Sequence, residues 1–378
     1  MSSCNSTHSY LKKRGVSGPW KIETFINRTF NQAIVIPAYS EFKFLSQTLE
    51  SINKNKPELL NQTLVAVVIN NANNSPQSFK KNNQLTLQKL NGNNYQFPHA
   101  VIDAASSGLE LPLKHAGVGL ARKIGMDLVL PYLISPNSLI FCTDADTKVS
   151  PDYLSKVTQY FDSHNTSAAV IGFDHLQSED SAINDAIGKY ENFLKTTAEK
   201  MKDAGSPYGY VSMGSTIVCT AEAYCAVGGM SRKKATEDFY FLQELTKYCG
   251  VHNIPETLVF PSPRPISRVY LGTGYRMEQM QKGFDITSLY YSDDAYRYLS
   301  KWIQLGSYAW ESSLNDLLKD IKSIHPDLIG FLKIEGIETI WSKIQNNAPS
   351  ELHFKKQFHR WFDGLKTIRL LKHFSETE

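Results

Sequence analysis

The chain has no cysteines at metal-binding or redox spacing. Its five, Cys4, Cys142, Cys219, Cys225 and Cys249, are odd in number and form no Cys-x-x-Cys pair. That argues against a disulfide framework or a zinc site; Cys142 and Cys219 lie in apolar, strand-like runs where a thiol acts as a small hydrophobe. No uninterrupted apolar run approaches the roughly 18 residues of a membrane span. The opening Met1-Ser-Ser-Cys-Asn-Ser-Thr-His8 lacks the charged-then-apolar order of a secretory leader, so the expected compartment is the cytoplasm. An excess of one charge is missing as well: 40 Lys and Arg face 37 Asp and Glu, a formal net charge of +3 that does not imply a nucleic-acid partner. There is no internal repeat. What remains, 378 residues of which 42% are hydrophobic and 20% charged, suits a large folded domain with an appendage.

Residues 1–30 carry no sustained periodicity and are expected to form an N-terminal arm, anchored by Trp20, Phe25 and Phe30. From 31 to 284, strand and helix patterns alternate. The β-branched run 33–36 predicts a strand closed by Pro37, which cannot donate a ladder hydrogen bond. Ser40 is the expected N-cap of a helix with Phe44, Leu45, Thr48, Leu49 and Ile52 on one face. Residues 64–69 predict a second strand, ending in Asn70 and Asn71, and 72–92, rich in Asn, Gln and Lys, a mobile loop or short polar helix. Further strands are predicted at 100–103, 139–142, 168–172, 215–219 and 257–260. Helices are predicted at 118–130, 151–161, 181–202 and 221–227, and from Thr236, with Phe239, Leu242 and Leu245 at core spacing. This alternation predicts an α/β fold with a mostly parallel sheet and helices on both faces. Residues 285–378 read as helix alone, with one stripe at Leu314, Leu317, Leu318, Ile321 and Ile324 and another from Phe354 to Leu371.

Chemistry concentrates where the buried strand 139–142 ends in Asp144 and Asp146. Open parallel sheets bind ligands beyond the carboxyl ends of their strands, and paired carboxylates are hard ligands suited to Mg²⁺ or Mn²⁺. The plain alternative is two acids in a solvated turn. Glu237 and Asp238 equally suit a helix's first turn, where the dipole favours acids. Arg264 and Arg268, on a loop stiffened by Pro261, Pro263 and Pro265, could clamp a diphosphate bidentately, and Gly272-Thr-Gly274 could add backbone N–H groups; ordinary surface arginines are the alternative.

Four motifs stand in order: Ile36-Pro-Ala-Tyr-Ser-Glu41, Gly117-Val-Gly-Leu-Ala-Arg-Lys-Ile-Gly125, the Asp144/Asp146 pair, and Gly228-Gly-Met230 followed by Thr236-Glu-Asp238. This order, over residues 33–250, resembles the family 2 glycosyltransferases, inverting enzymes of the GT-A fold that use nucleotide-activated sugars. The resemblance implies a GT-A domain at 31–284, between the arm and a helical C-terminal region at 285–378. It implies Asp146 as metal ligand, with Asp144 on the metal or the donor ribose, and Asp238 as the base that deprotonates an acceptor hydroxyl. Pro37, Ala38, Tyr39, Glu41 and Arg122 fall on the nucleotide side, with a UDP-sugar the favoured donor; the plain alternatives are Tyr39 packing on its neighbours rather than on uracil and Arg122 as a surface helix residue. Asn70 and Asn71 stand where the family shows an Asp pair reading the base, a departure that leaves the base open. Gly214 and Gly229 resemble positions shaping the acceptor side, with relief of backbone strain the alternative for either.

The acceptor class is a saccharide, a lipid-linked or a small-molecule hydroxyl. His252 matches a late histidine that some related folds add to the metal, and is not expected to ligate here. Six Lys or Arg between 355 and 372 face one acid, Asp363; core or subunit packing is the first expectation for this last helix, and peripheral contact with an anionic membrane the second. A haloacid dehalogenase-type phosphatase is disfavoured because Lys148 stands where its motif has Thr or Val. A sugar nucleotidyltransferase is disfavoured because Pro37-Ala-Tyr-Ser40 is not a glycine-rich loop. The alternative in a different class is a non-catalytic sugar-nucleotide-binding or scaffold protein of the same fold.

Overall fold

The computed structural model describes residues 3–24, 26–90, 95–266 and 271–376. It divides into two compact units, Met1–Gly188 with Ser212–Gly283, and Lys189–Val211 with Phe284–Glu378. The first unit holds, in chain order, α1 (Ser3–Arg14), β1 (Gln32–Ala38), α2 (Phe42–Ile52), α3 (Pro57–Asn61), β2 (Thr63–Asn70), α4 (Gln77–Leu90) and β3 (His99–Ala104). Then come α5 (Val118–Val129), β4 (Leu139–Cys142), β5 (Lys148–Val149), α6 (Tyr153–His164), β6 (Ala168–Phe173) and the start of α7 (Ser181–Asp203). The unit is completed by β7 (Ile217–Thr220), α8 (Ala221–Ala226), α9 (Glu237–Cys249), β8 (His252–Phe260) and α10 (Thr273–Gln281).

The eight strands form one sheet in the order β3-β2-β1-β4-β7-β6-β8-β5. Parallel pairs join β1 to β2 and to β4, β2 to β3, and β6 to β8, while β7 runs against β4 and β6, and β5 against β8. Six strands therefore share a direction and two oppose it, the mostly parallel α/β sheet that the alternation predicts. Every residue of β1, β2 and β4 is buried, which is why these strands read as continuous apolar runs rather than alternating ones.

Pro37 does not end β1. The strand continues to Ala38, with Pro37 in register with Val68 of β2. The β1–β4 ladder stops at Val35 and Cys142, with one further bond from Thr143 N to Val35 O. Pro37 lies two residues beyond Val35 and turns its nitrogen to the same side, where the ladder has already ended, so no donor is missed. Nor is Ser40 an N-cap. It takes a left-handed φ of 60°, and its N–H donates to Asn83 Oδ1 at 2.8 Å while Phe42 N–H donates to Asn82 Oδ1 at 3.1 Å. The start of α2 is thus capped by amides of α4, from the Asn-rich stretch. That stretch forms a helix of 14 residues, with Asn83, Thr86 and Leu90 buried.

The supposed arm begins as helix α1. Its Tyr10 is buried, and its hydroxyl donates to Asp127 Oδ1 at 2.8 Å. Asp127, on α5, also accepts from Tyr224 Oη at 2.6 Å and from Val16 N at 2.7 Å, and it pairs with Lys123 at 3.0 Å. Lys123 donates in turn to Tyr10 Oη at 2.7 Å. Gly229 takes a positive φ of 76°, and a Cβ there would lie 1.9 Å from Tyr10 Oη, so the Gly228-Gly229 turn makes room for this phenol. Sequence periodicity misses α1 because Tyr10 and Leu11 are adjacent and form no stripe.

The second unit consists of the end of α7 with α11 (Asp293–Ser307), α12 (Leu314–Ile324), α13 (Pro326–Ile334), α14 (Ile337–Asn346), α15 (Glu351–Trp361) and α16 (Gly364–Glu376). The basic last helix expected from the sequence is two helices. Asp363 separates them, its Oδ1 accepting from Lys366 N at 3.2 Å to begin α16, as an N-cap acid does. Phe354, Phe358 and Phe362 are buried, and Trp302, fully buried, meets Phe358 and Phe362 edge-on, so the aromatic stripe is core. Lys366 and Arg369 both pair with Glu335. Among the described residues no helix is long and apolar enough to cross a membrane.

The Asp127 cluster yields a stability prediction. Asp127→Ala leaves Lys123 buried without its counter-charge and should cost about 3–5 kcal/mol in urea unfolding, whereas Tyr10→Phe should cost about 1–2 kcal/mol. Equal, negligible losses for both variants would show that α1 is not anchored through this cluster.

Candidate active site

The strand β4 delivers its two acids into a closed turn. Thr147 N donates to Asp144 O at 3.1 Å, placing Asp144 and Asp146 at the first and third positions of a β-turn. Thr48 Oγ1 of α2 fixes the turn by donating to Ala145 O at 2.9 Å. Both carboxylates lie beyond the carboxyl end of a central strand, but they face different partners.

Asp144 Oδ1 accepts from Arg122 Nη2 at 2.5 Å. Arg122 projects from the first turns of α5, and its Nη1 donates to Glu237 Oε1. Its side chain is 4% exposed, as is that of Glu237. The guanidinium fits because residue 214 is glycine: a Cβ there would lie 2.0 Å from Nη2. Burial alone would lower the pKa of Arg122, but Asp144 and Glu237 raise it and keep it charged. Its buried Nε has no hydrogen-bond partner among the described residues. Burial likewise pushes the Glu237 carboxyl up to about 7, against the pull of Arg122. Asp238, next on α9, is raised chiefly by burial, again opposed by Arg122; its Oδ1 accepts from Phe239 N at 2.8 Å. Thr236, before them, holds a left-handed φ of 60°.

Asp146 meets a second arginine. Arg264 donates to Asp146 Oδ2 from Nε at 2.9 Å and from Nη2 at 2.7 Å, and the same Nη2 donates to Glu41 Oε2 at 2.5 Å. The guanidinium lies over the Phe44 ring, 3.9 Å from its centroid. Its side chain is 22% exposed, and the residue belongs to neither helix nor strand. Asp146 and Glu41 raise its pKa against burial.

The remaining sequence-predicted residues fall around these clusters. Pro37 and Ala38 are buried in β1. Tyr39 Oη donates to Ser75 Oγ at 3.1 Å, with its ring edge-on to Phe79. Asn70, 5% exposed, has its amide nitrogen committed to Ala38 O and Val68 O, each at 3.2 Å. Asn83 joins this lattice through Asn70 O and Asn71 Oδ1, at 2.9 and 2.8 Å. Arg268 lies outside the described residues, as does Phe25. Gly272 precedes α10. His252 begins β8, which runs in the same direction as β4, so it sits at the opposite strand end from Asp144 and Asp146, against Tyr160 and His164. Phe239 is only half-buried, and Phe241 takes the core place on α9. Cys142, Cys219, Cys225 and Cys249 are free.

Among the described residues no cluster of three or more His, Cys, Asp or Glu is arranged as a complete protein cage for a metal. The donor chemistry still suits Mg²⁺ or Mn²⁺, which take one or two carboxylates and complete their shells with water and substrate phosphate. Each acid of the turn is already drawn to a cation, here a guanidinium.

No family model and no curated protein matches the chain. Solved structures with partial likeness include S. aureus TarS 1-349, with a TM-score of 0.42 and 10% identity over 93% of this chain and 92% of that one. Its complex with UDP-GlcNAc gives 0.43 and 12% over 88% and 89%. The mannosyltransferase PcManGT from Pyrobaculum calidifontis, in complex with GDP-Man and Mn²⁺, gives 0.43 and 10% over 95% and 93%. At TM-scores below 0.5 none of these assigns a family or an activity to this chain.

Two outcomes test the Arg122 cluster. Gly214→Ala forces the guanidinium off both carboxylates and should destabilise the fold by about 3–5 kcal/mol, as losing one partner of a buried pair does; a melting temperature unchanged from wild type contradicts the cluster. Glu237 binds its proton more tightly folded than unfolded, so its contribution to stability is present below pH 4.5 and lost as pH rises to about 7. Urea titrations across that window should show falling stability for wild type and a shallower slope for Glu237→Gln.

Proposed function

We propose that residues 31–284 are a GT-A-type glycosyltransferase domain, with 285–378 as a helical appendage, moving a sugar from a nucleotide donor to a hydroxyl with inversion. The observation that supports this reading is the convergence, through Arg122, of the acidic turn after β4 with the acidic first turn of α9. Asp144, on the side of the leaving phosphate, and Glu237, next to the proton acceptor, are thereby tied to one fixed cation. Asp238 is the general base, taking the acceptor's proton as its oxygen attacks the anomeric carbon. Its raised pKa makes it a better proton acceptor than an ordinary surface aspartate.

Asp144 and Asp146 are the residues to hold Mg²⁺ or Mn²⁺. The chemistry that ion supplies when bound is neutralisation of charge on the departing diphosphate. Arg122 sets the orientation of Asp144 and Glu237, buried too deeply to act as a flexible donor contact. Pro37, Ala38, Tyr39, Glu41 and Asn70 form the nucleotide side, with UDP the favoured nucleotide, and Arg264 and Arg268 supply guanidinium groups for the diphosphate.

The reading predicts separable defects. Asp238→Asn should retain Mn²⁺-dependent donor binding and lose about 10²- to 10⁴-fold in transfer. Asp146→Ala should lose the Mn²⁺-dependent part of donor binding. A thermal-shift panel of UDP- and GDP-sugars with and without Mn²⁺ selects the donor for both measurements. Lack of stabilisation across the panel would sink the reading, and binding with no turnover on any acceptor class would favour the non-catalytic alternative.

A further inference from the structure

The two arginines that hold the acidic turn are not equivalent. Arg122 rises from a helix and is 4% exposed. Its removal leaves Glu237 buried and uncompensated. Arg264 stands between Pro263 and Pro265, outside any helix or strand, with a side chain 22% exposed. Proline on either side restrains the backbone there, while the long side chain rests on the face of Phe44. One guanidinium is a fixed strut; the other is held by two carboxylates and one aromatic face.

The second cluster also has the form of a cation site. Glu41 Oε2 and Asp146 Oδ2 converge on a single nitrogen, Arg264 Nη2, at 2.5 and 2.7 Å. Mg²⁺ or Mn²⁺ at that point needs those oxygens to close in by only about half an ångström to reach bonding distance. Glu41 is 8% exposed on its side chain, so it requires a counter-charge whichever cation supplies it.

We propose that Arg264 is an internal cation that competes with the divalent ion for Asp146 and Glu41. Binding of Mg²⁺ or Mn²⁺ at this carboxyl end of the central strands ejects the guanidinium, and Glu41 becomes a carboxylate facing the metal. This rests on the cation role given to Asp146 above, and adds that Arg264 weakens the site for free metal. The ejected guanidinium is left with an unsatisfied positive charge on the same loop.

The test measures Mn²⁺ binding without donor, from the electron paramagnetic resonance signal of the free ion, so activity is not the readout. Arg264→Gln removes the competing charge and should bind Mn²⁺ about tenfold tighter than wild type. Adding Asp146→Asn or Glu41→Gln to that variant should abolish the gain. Equal or weaker binding by Arg264→Gln overturns the competition while leaving the cation role of Asp146 standing, provided Asp146→Asn weakens Mn²⁺ binding in the otherwise native chain. No binding by either protein overturns both. A second measurement uses the native chain alone: phenylglyoxal labelling with peptide mapping should find Arg264 modified faster when Mn²⁺ is present, with Arg122 unlabelled. Labelling of Arg264 that Mn²⁺ leaves unchanged or slows overturns the exchange.

Discussion

Charge compensation at the carboxyl end of β1 and β4 is the constraint on which the site depends. Four carboxylates, Glu41, Asp144, Asp146 and Glu237, meet on two guanidinium groups. Each buried carboxylate costs several kcal/mol to desolvate unless it is paired. The segments that carry these six side chains, the loops after β1 and β8, the turn after β4 and the starts of α5 and α9, are therefore brought together by one electrostatic requirement. The balance is incomplete, with acids outnumbering arginines two to one before Asp238 is added. A site with that deficit favours cations.

Backbone strain marks the same places. Ser40 and Thr236 are both non-glycine residues at a φ of 60°, and each immediately precedes an acid of the cluster, Glu41 or Glu237. A left-handed residue costs about 1–2 kcal/mol and persists only where its surroundings over-determine it. At Ser40 those surroundings are the amides of Asn82 and Asn83. The Asn-rich helix α4 thus shapes the loop that carries Glu41 although it supplies no acid or base itself.

Seven of the eight strands and most helices were legible, β1, β2 and β4 because burial on both faces leaves continuous apolar runs and the helices because they keep one apolar face; β5, Lys148–Val149, is too short to show a pattern. Asp144 and Asp146 were legible because acids directly after such a run are conspicuous. The arginine partners were not: residue 122 meets residue 237, and residue 264 meets residue 41, across separations that no local pattern encodes. Asn83 was hidden among similar residues, and its only signal was spacing, since 83, 86 and 90 share a helical face. Pro37 misled because a missing donor matters only on the side where a neighbour still pairs. The Asp363-Gly364 turn signal was overridden by the aromatic periodicity running through it.

The anchoring of α1 bears on how the chain assembles. Tyr10 meets Asp127 across a sequence separation of 117 residues, and Asp127 is completed by Tyr224, a further 97 away. During synthesis at about 5–20 residues per second, Tyr10 must wait on the order of ten seconds or more for Tyr224, the last member of its polar cluster. The full set of partners for α1 thus exists only once Tyr224 has been made. Until then Lys123 and Asp127 remain open to water, and closure by α1 reports that α5 and α8 are already in place.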